Sequence, residues 1–468
     1  MTEKNELLMA VKELAIALKN DPASTTLPGA QLHGSLQDGS GRYGPLTYPG
    51  VRPEMYSAFQ RPRSFAGSLP LMPTVYEQSL LEIQTGVTEE GGTNADGYCD
   101  DPPGVGALKV CQQIYPLGEY YIKDDLNALP KVGQKRDRAD VQRSILNNAP
   151  TDVARLIPDA ATQLVDTYSQ LAYEMYKVGV SAERDLCNVV IQGDSTQTGA
   201  NRQHGWIGEF DGLDKQIKTG YTDAQTGDAC PAADSYVGSF NAAIDGTDAT
   251  TSRNIVEFVT DMVEGIEARA ADVGMGGTVF QFVMRRDLFK PLTEVWSCNY
   301  LTSRCSITDN AAQRQDAALV RMMLDGMQAG QYLLINGVQY PVQFDECVER
   351  DTLGNQYYKS DMYFVPMMWG GRPLTYLDYF DMNNQYNLEY GNFLSKSVER
   401  MNGGLWLVGE RDTGFCFEHL YALRMRLILD TPFLAGRVDD IWYNYYAPSR
   451  EAIPGSSLYV DGGTTLRT

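Results

Sequence analysis

Apolar residues recur in steps of three and four at Leu164, Tyr168, Leu171, Met175, Val178, Ala182, Leu186 and Val189, which draws one continuous stripe along one side of a helix. The pattern predicts a helix over residues 158–191. Pro158 suits its first turn, where the missing N–H has no helical acceptor anyway, and Gly193 marks the stop. At 1.5 Å per residue the rod would be roughly 50 Å long. It is either half of a coiled coil or a strut with other elements laid against it. The apolar run lasts only about four heptads, contains Gly179 and has no second heptad segment to pair with, which favours the strut.

Shorter patterns flank it. Leu7, Val11, Leu14, Ala15 and Leu18 predict a helix over 5–18, ended by Asn20, Asp21 and Pro22. Residues 22–70 are rich in Gly, Pro, Ser and Tyr without a period. They read as a disordered tail or as an extended arm that orders against a neighbouring subunit, and Tyr43, Tyr48, Tyr56, Phe59 and Phe65 favour the arm. Strand-like runs at 79–86 and 107–115, separated by the polar stretch 88–106, predict a long hairpin. A lone hairpin cannot bury both faces itself, so Leu80, Ile83, Val110 and Ile114 are expected to lose water only on a partner surface.

Beyond the long helix, 192–252 reads as irregular acidic surface. Thr251 or Ser252 then opens a helix carrying Ile255, Val259, Met262, Val263 and Ile266 on one face and ending near Gly274. A strand follows at 278–284, with Asp287 as the cap of a next helix. A further helix from Asn310 carries Val320, Met323, Leu324 and Met327 as core. Strand patterns at 331–335, 339–344, 356–365, 405–408, 417–429 and 437–443 complete a mixed α+β body.

Composition narrows the classes. The chain has 468 residues, 43% hydrophobic and 21% charged, enough for a sizeable core and two to four domains. A formal charge of −21 argues against wrapping nucleic acid through its phosphates and suits a protein that merely encloses it. No signal-peptide pattern or membrane-spanning apolar run is present in the sequence. The basic patch Lys131, Lys135, Arg136, Arg138 and Arg143 is either a solvated face or a contact for an acidic partner. The eight cysteines include no C-x-x-C, so free buried thiols are expected, with Cys99–Cys111 and Cys298–Cys305 spaced closely enough to bridge.

Chemistry is not evident. There is no phosphate-binding loop, zinc-protease or nucleophile-elbow motif, and Gly274–Gly277 does not extend to a dinucleotide fingerprint. His33, His204 and His419 fall in an arm, a loop and a strand. Asn94, Asp96 and Gly97 lack the first and last ligands of a calcium loop. Asp124-Asp125 and Asp439-Asp440 read as solvated loop pairs, so no catalytic, cofactor-binding or metal-ligating residue is assigned. Twenty-eight tyrosines, among them Tyr363, Tyr376, Tyr379, Tyr386, Tyr390, Tyr443, Tyr445 and Tyr446, suggest extensive interfaces.

The order arm, hairpin, long helix and mixed body, with the segments EFDGLDKQIKTG at 209–220, GGTVFQFVMRRDLF at 276–289, LTEVWSCNYLTSRC at 292–305, SDMYFVPMMWGGRPLTYLDYFDMNN at 360–384 and RMRLILDTPFLAGRVDDIWY at 424–443, resembles the HK97-type major capsid protein of tailed bacteriophages. The resemblance spans most of the chain. It implies an α+β HK97-like fold: an N-terminal helix and arm at 1–70, an extended hairpin or E-loop at 71–130, and a peripheral domain with its spine helix at 131–191. A mainly axial domain would follow at 192–384, with C-terminal strands at 385–468 returning partly to the peripheral domain.

The implied function is self-assembly of hexamers and pentamers into an icosahedral shell enclosing double-stranded DNA without sequence-specific binding. Portal, scaffolding and decoration proteins are the implied partners, with no membrane and no cofactor. The location would be the virion capsid, assembled in the host cytoplasm. With only the 5–18 helix ahead of the arm, no cleaved scaffolding segment is expected. Some members crosslink through Lys and Asn, and Lys109 and Lys123 fall in the expected hairpin. The alternatives are an encapsulin-type compartment shell and, from another class, a hydrolase using Cys416 and His419.

Overall fold

The computed structural model of the chain describes residues 64–87, 108–126, 169–244, 255–302, 317–353, 357–381, 398–401, 405–413 and 416–443. Its architecture is α+β, with two mixed sheets and a separate hairpin. The first sheet contains β1 (Leu71–Thr74), β4 (Gly118–Leu126), β5 (Trp206–Gly208), β13 (Thr375–Phe380), β14 (Val398–Met401), β15 (Trp406–Thr413) and β16 (Cys416–Leu429). Its axis is β16, which pairs antiparallel with β13, β15 and β4, while β1 adds parallel to β13. The hairpin of β2 (Gln78–Val87) and β3 (Leu108–Pro116) leaves the sheet between β1 and β4.

The second sheet runs β6 (Tyr236–Ala243), β17 (Gly436–Tyr443), β11 (Tyr357–Trp369), β7 (Val279–Met284), β9 (Val338–Phe344) and β8 (Tyr332–Ile335), with β10 (Arg350–Leu353) and β12 (Arg372–Pro373) also on β11. The C-terminal strands therefore divide between the sheets, with β14–β16 in the first and β17 in the second.

Two cores result, and the first is shared between the sheets, because Val283, Tyr363 and Val365 of the second sheet enter it. Helix α1 (Ser169–Gln192) lays Val178, Ala182, Leu186 and Val189 against Trp406, Tyr421, Leu423 and Met425 of the first sheet. Its last turns are buried beyond the predicted stripe, at Cys187, Val190 and Ile191 as well. The expected start of this helix, 158–168, lies outside the described residues. Gly193 stops it as predicted and for a visible reason: a Cβ there would stand 2.4 Å from the carbonyl oxygens of Phe210 and Val189. The second core is built by α3 (Ile255–Asp272), α4 (Arg286–Thr302) and α5 (Ala317–Gly330) on the second sheet. On α3 the predicted face Ile255, Val259, Met262, Val263 and Ile266 is wholly buried. Burying such side chains stabilises by about 1.5–3 kcal/mol each.

Three expectations need correcting. Residues 192–252 are not mere surface: Phe210, Leu213 and Ile217, around the short helix α2 (Leu213–Gln216), enter the first core, and β6 is an edge strand of the second sheet. Phe65, placed in an arm for a neighbouring subunit, is fully buried in this chain's own first core. Asp287 lies within the first turn of α4, where it pairs with Arg285 and Arg350 rather than capping from outside. The helix at 5–18, the basic patch and the loop 88–106 lie outside the described residues. Among the described residues no helix is long and apolar enough to cross a membrane.

Candidate functional site

A strand alternates its side chains between two faces, and the β2–β3 register sorts the hairpin accordingly. Ile83 lies opposite Cys111, and Leu80 lies opposite Ile114. The first pair faces inward. Ile83 (5% exposed) and Cys111 pack with Tyr221, Cys230 and Ala233 of the loop that follows α2, and Cys111 is disulfide-bonded to Cys230. The same loop covers the free edge of β3. Asp223 accepts the Gln112 N–H at 2.8 Å, Ala224 N–H donates to Gln112 O at 2.8 Å, and Gln113 Nε2 donates to Thr222 O at 2.7 Å. The N–H groups of Thr226, Gln112 and Gln225 hold the Asp223 carboxyl below the usual range.

The second pair faces outward. Leu80 is 46% exposed, Ile114 44% and Val110 39%, all on one face of a two-stranded ladder, where the hydrogen-bonded Glu82–Gln112 pair separates Val110 from the Leu80–Ile114 pair. Ile83, expected to wait for a partner, is thus corrected to an intrachain core residue, whereas Leu80, Val110 and Ile114 stay open as predicted. Of the lysines expected in the hairpin, Lys109 is on β3, but Lys123 belongs to β4 of the first sheet.

One buried arginine fixes the hairpin's root. Arg426 on β16 stands opposite Asp378 on β13, and its Nε and Nη2 donate to Asp378 Oδ2 at 2.9 and 2.6 Å. Its Nη1 donates to the carbonyls of Glu77 and Tyr115, both at 3.2 Å, one where the chain enters the hairpin and one where it leaves. Arg426 is 1% exposed, so the pair is desolvated and held by geometry. Burial pushes the Asp378 carboxyl upward, and the Arg426 guanidinium works against that shift. No sequence motif announces this node, because Thr74, Glu77, Tyr115, Asp378 and Arg426 meet only in the fold.

A polar cleft of about 270 Å³ lies along β11 and β17, lined by Asp214, Glu349, Asp351, Asp361, Asp439 and Asp440 with Lys359 and Arg437 among them. Asp439 pairs with Arg437 and Asp440 with Lys359; this doublet is on strand β17, not in the expected solvated loop. Burial, helped by the charges of Asp439 and Asp214, pushes Asp361 up to about 7, against the Asp440 N–H and Arg437.

The other sequence candidates do not assemble into a site among the described residues. His204 is exposed, its Nδ1 3.4 Å from Asp185 Oδ2. His33 and the side chains of His419, Cys416, Asp124 and Asp125 lie outside the described residues. Tyr363 and Tyr443, suggested for interfaces, are fully buried in this chain's own core. The expectation of free thiols fails for four cysteines. Cys111 bonds Cys230 and Cys187 bonds Cys347, partners 119 and 160 residues apart, so spacing could not reveal them. Cys99 and Cys305 and the side chain of Cys298 lie outside the described residues.

No protein-family model and no curated protein matches the chain. Solved structures do. The chain is similar to the capsid of the native GTA particle, with 11% identity, a TM-score of 0.42 and coverage of 87% of this chain and 99% of that one. It is similar to a cyanophage A-1(L) capsid subunit, with 10% identity, a TM-score of 0.45 and coverage of 86% and 97%. It is also similar to the holo-SrpI encapsulin of Synechococcus elongatus, with 10% identity, a TM-score of 0.40 and coverage of 86% and 96%.

Proposed function

We propose that the chain is a structural subunit of HK97 type that self-assembles, as hexamers and pentamers, into a closed icosahedral shell around double-stranded DNA. The observation that carries this reading is the outward face of the β2–β3 hairpin. Its inner face is covered by the chain itself, while Leu80, Val110 and Ile114 remain in water until a second copy covers them. A two-stranded ladder is marginal alone, and one such contact is weak. Repeated by closed symmetry, it becomes a stable shell.

In this reading the hairpin is the E-loop, α1 the spine helix, the first sheet the peripheral domain and the second the axial domain. The −21 charge lets the shell enclose DNA without adhering to it. The subunit carries out no catalysis, and portal, scaffolding and decoration proteins are its expected partners in a virion put together in the host cytoplasm.

Electron microscopy and sedimentation of the purified full chain test this. Closed particles of uniform diameter are expected, with extractable DNA when they are isolated from the native source. Protein cargo in place of nucleic acid would move the reading to an encapsulin-type compartment, and a compact monomer at all salt and protein concentrations would overturn it.

A further inference from the structure

The Cys187–Cys347 disulfide is built differently from its counterpart at the hairpin. Cys187 sits near the end of α1, fully buried in the first half of the molecule, and Cys347 lies partly exposed in the turn after β9 of the second sheet. The bridge therefore ties the helix on one sheet to a turn of the other. Beside it stands Asp345, 0% exposed. Its Oδ2 accepts the Phe65 N–H at 2.6 Å, its Oδ1 accepts the Cys347 N–H at 2.7 Å, and the same Oδ1 lies 3.3 Å from Cys187 Sγ. In the reduced chain that distance lets the Cys187 thiol donate to the carboxylate. A buried thiol has no water to receive its proton, and this carboxylate is the acceptor in reach.

We propose that Cys187, Cys347 and Asp345 form a redox latch between the two halves of the subunit, closed by thiol–disulfide exchange that enters at Cys347 and uses Asp345 as the proton acceptor for Cys187. The oxidant is a small disulfide such as oxidised glutathione. The Cys347 thiolate attacks one of its sulfurs, the small disulfide breaks, and one thiol leaves with a proton. A mixed disulfide remains on the accessible sulfur. Cys187 then passes its proton to Asp345 and attacks Cys347 Sγ. The protein disulfide forms, and the second small thiolate departs and is protonated. Two protein thiols are oxidised and one small disulfide is reduced to two thiols, so atoms and electrons balance.

Burial pushes Asp345 up to about 7, against the N–H groups of Phe65 and Cys347 and the charge of Arg285, with Glu346 adding to the rise. The acceptor is then open above neutral pH and blocked below it. The Cys111–Cys230 pair supplies a control in the same molecule, because the nearby Asp223 is held ionised by N–H donors and does not titrate in this range. The latch stands on this geometry and does not depend on the assembly reading.

The test is to reduce the full-length chain, add oxidised glutathione, quench with an alkylating agent at intervals and locate the modified cysteines by mass spectrometry from pH 5.5 to 9. Glutathione should appear first on Cys347. Its replacement by the Cys187–Cys347 bond should reach half its maximal rate near pH 7, while closure of Cys111–Cys230 should keep rising toward the ordinary thiol pKa of about 8.5. Asp345→Asn keeps an oxygen for only one of the two N–H donors, Phe65 and Cys347, and takes no proton, and should slow the second step roughly tenfold or more with the mixed disulfide accumulating. Because that variant removes a buried charge and could affect folding, the wild-type pH profile is read independently of it. Glutathione first on Cys187, a second step that follows the Cys111–Cys230 profile, or equal rates in a folded Asp345→Asn protein would each overturn the proposal.

Discussion

The inner and outer faces of the β2–β3 hairpin both carry branched aliphatic residues, yet Ile83 is buried and Leu80 and Ile114, beside the polar pair Glu82–Gln112, are not. Hydrophobicity cannot account for the difference. The inner face has the 221–233 loop, a disulfide and an edge of β3 whose Gln112 N–H and C=O are both satisfied. Nothing among the described residues covers the outer aliphatic positions. One face is thus finished by folding, and the other is the one proposed for association.

Mutations should separate the two faces. The largest effect is expected from Ile83→Asp, which puts an unpaired carboxylate among Cys111, Tyr221 and Cys230. A loss of roughly 5 kcal/mol is expected, read as a lowered denaturation midpoint and rapid proteolysis of the hairpin. Arg426→Ala should follow at about 3–5 kcal/mol, because Asp378 is left as an uncompensated buried charge and the hairpin root loses both carbonyl contacts. The same midpoint measurement checks it, and restoring Lys should recover only part, since one ammonium cannot reach all those acceptors. Replacing Cys111 and Cys230 together by Ser should cost roughly 2–4 kcal/mol, visible as a difference that vanishes when the wild type is measured in reductant.

The smallest effect is a pH dependence. Asp361 holds its proton in the folded chain up to about 7, well above the unfolded carboxyl. Its contribution is therefore full below about pH 4 and declines as pH rises toward 7, and Asp345 acts in the same direction. Thermal midpoints should fall from pH 5 to pH 8, and Asp361→Asn should flatten the profile. An unchanged slope would show that other groups control it.

Local periods were legible in the sequence. The face of α3 and the two hairpin strands are visible because burial of one side imposes a repeat of 3.6 or 2 that survives in the residue order. The sequence offered Ile83 and Ile114 as equivalents, since a period assigns faces without saying which face finds cover inside the chain. Arg426 was invisible for a related reason: its partners come from Thr74, Glu77, Tyr115 and Asp378, and an arginine amid apolar residues has no signature of ion pairing. The disulfides were missed because proximity in sequence was the only guide, whereas the fold joins Cys187 at the end of a helix to Cys347 in a turn of the other sheet. Strand β13 shows no clean period of two in its TYLDYF run, because Asp378 falls among buried positions and is explained only by its pairing with Arg426.

The most direct measurement is sedimentation velocity on Leu80→Asp combined with Ile114→Asp, alongside circular dichroism and the wild type. Both side chains are exposed in the single chain, so the fold and its denaturation midpoint should be unchanged within about 0.5 kcal/mol per site. In an assembled shell each carboxylate would be buried without a partner at every repeated interface, so the variant should remain a small, folded species where the wild type forms large particles. Particles from the double variant equal in size and yield to wild type, or outright unfolding of the variant, would contradict the assignment of this face to subunit association.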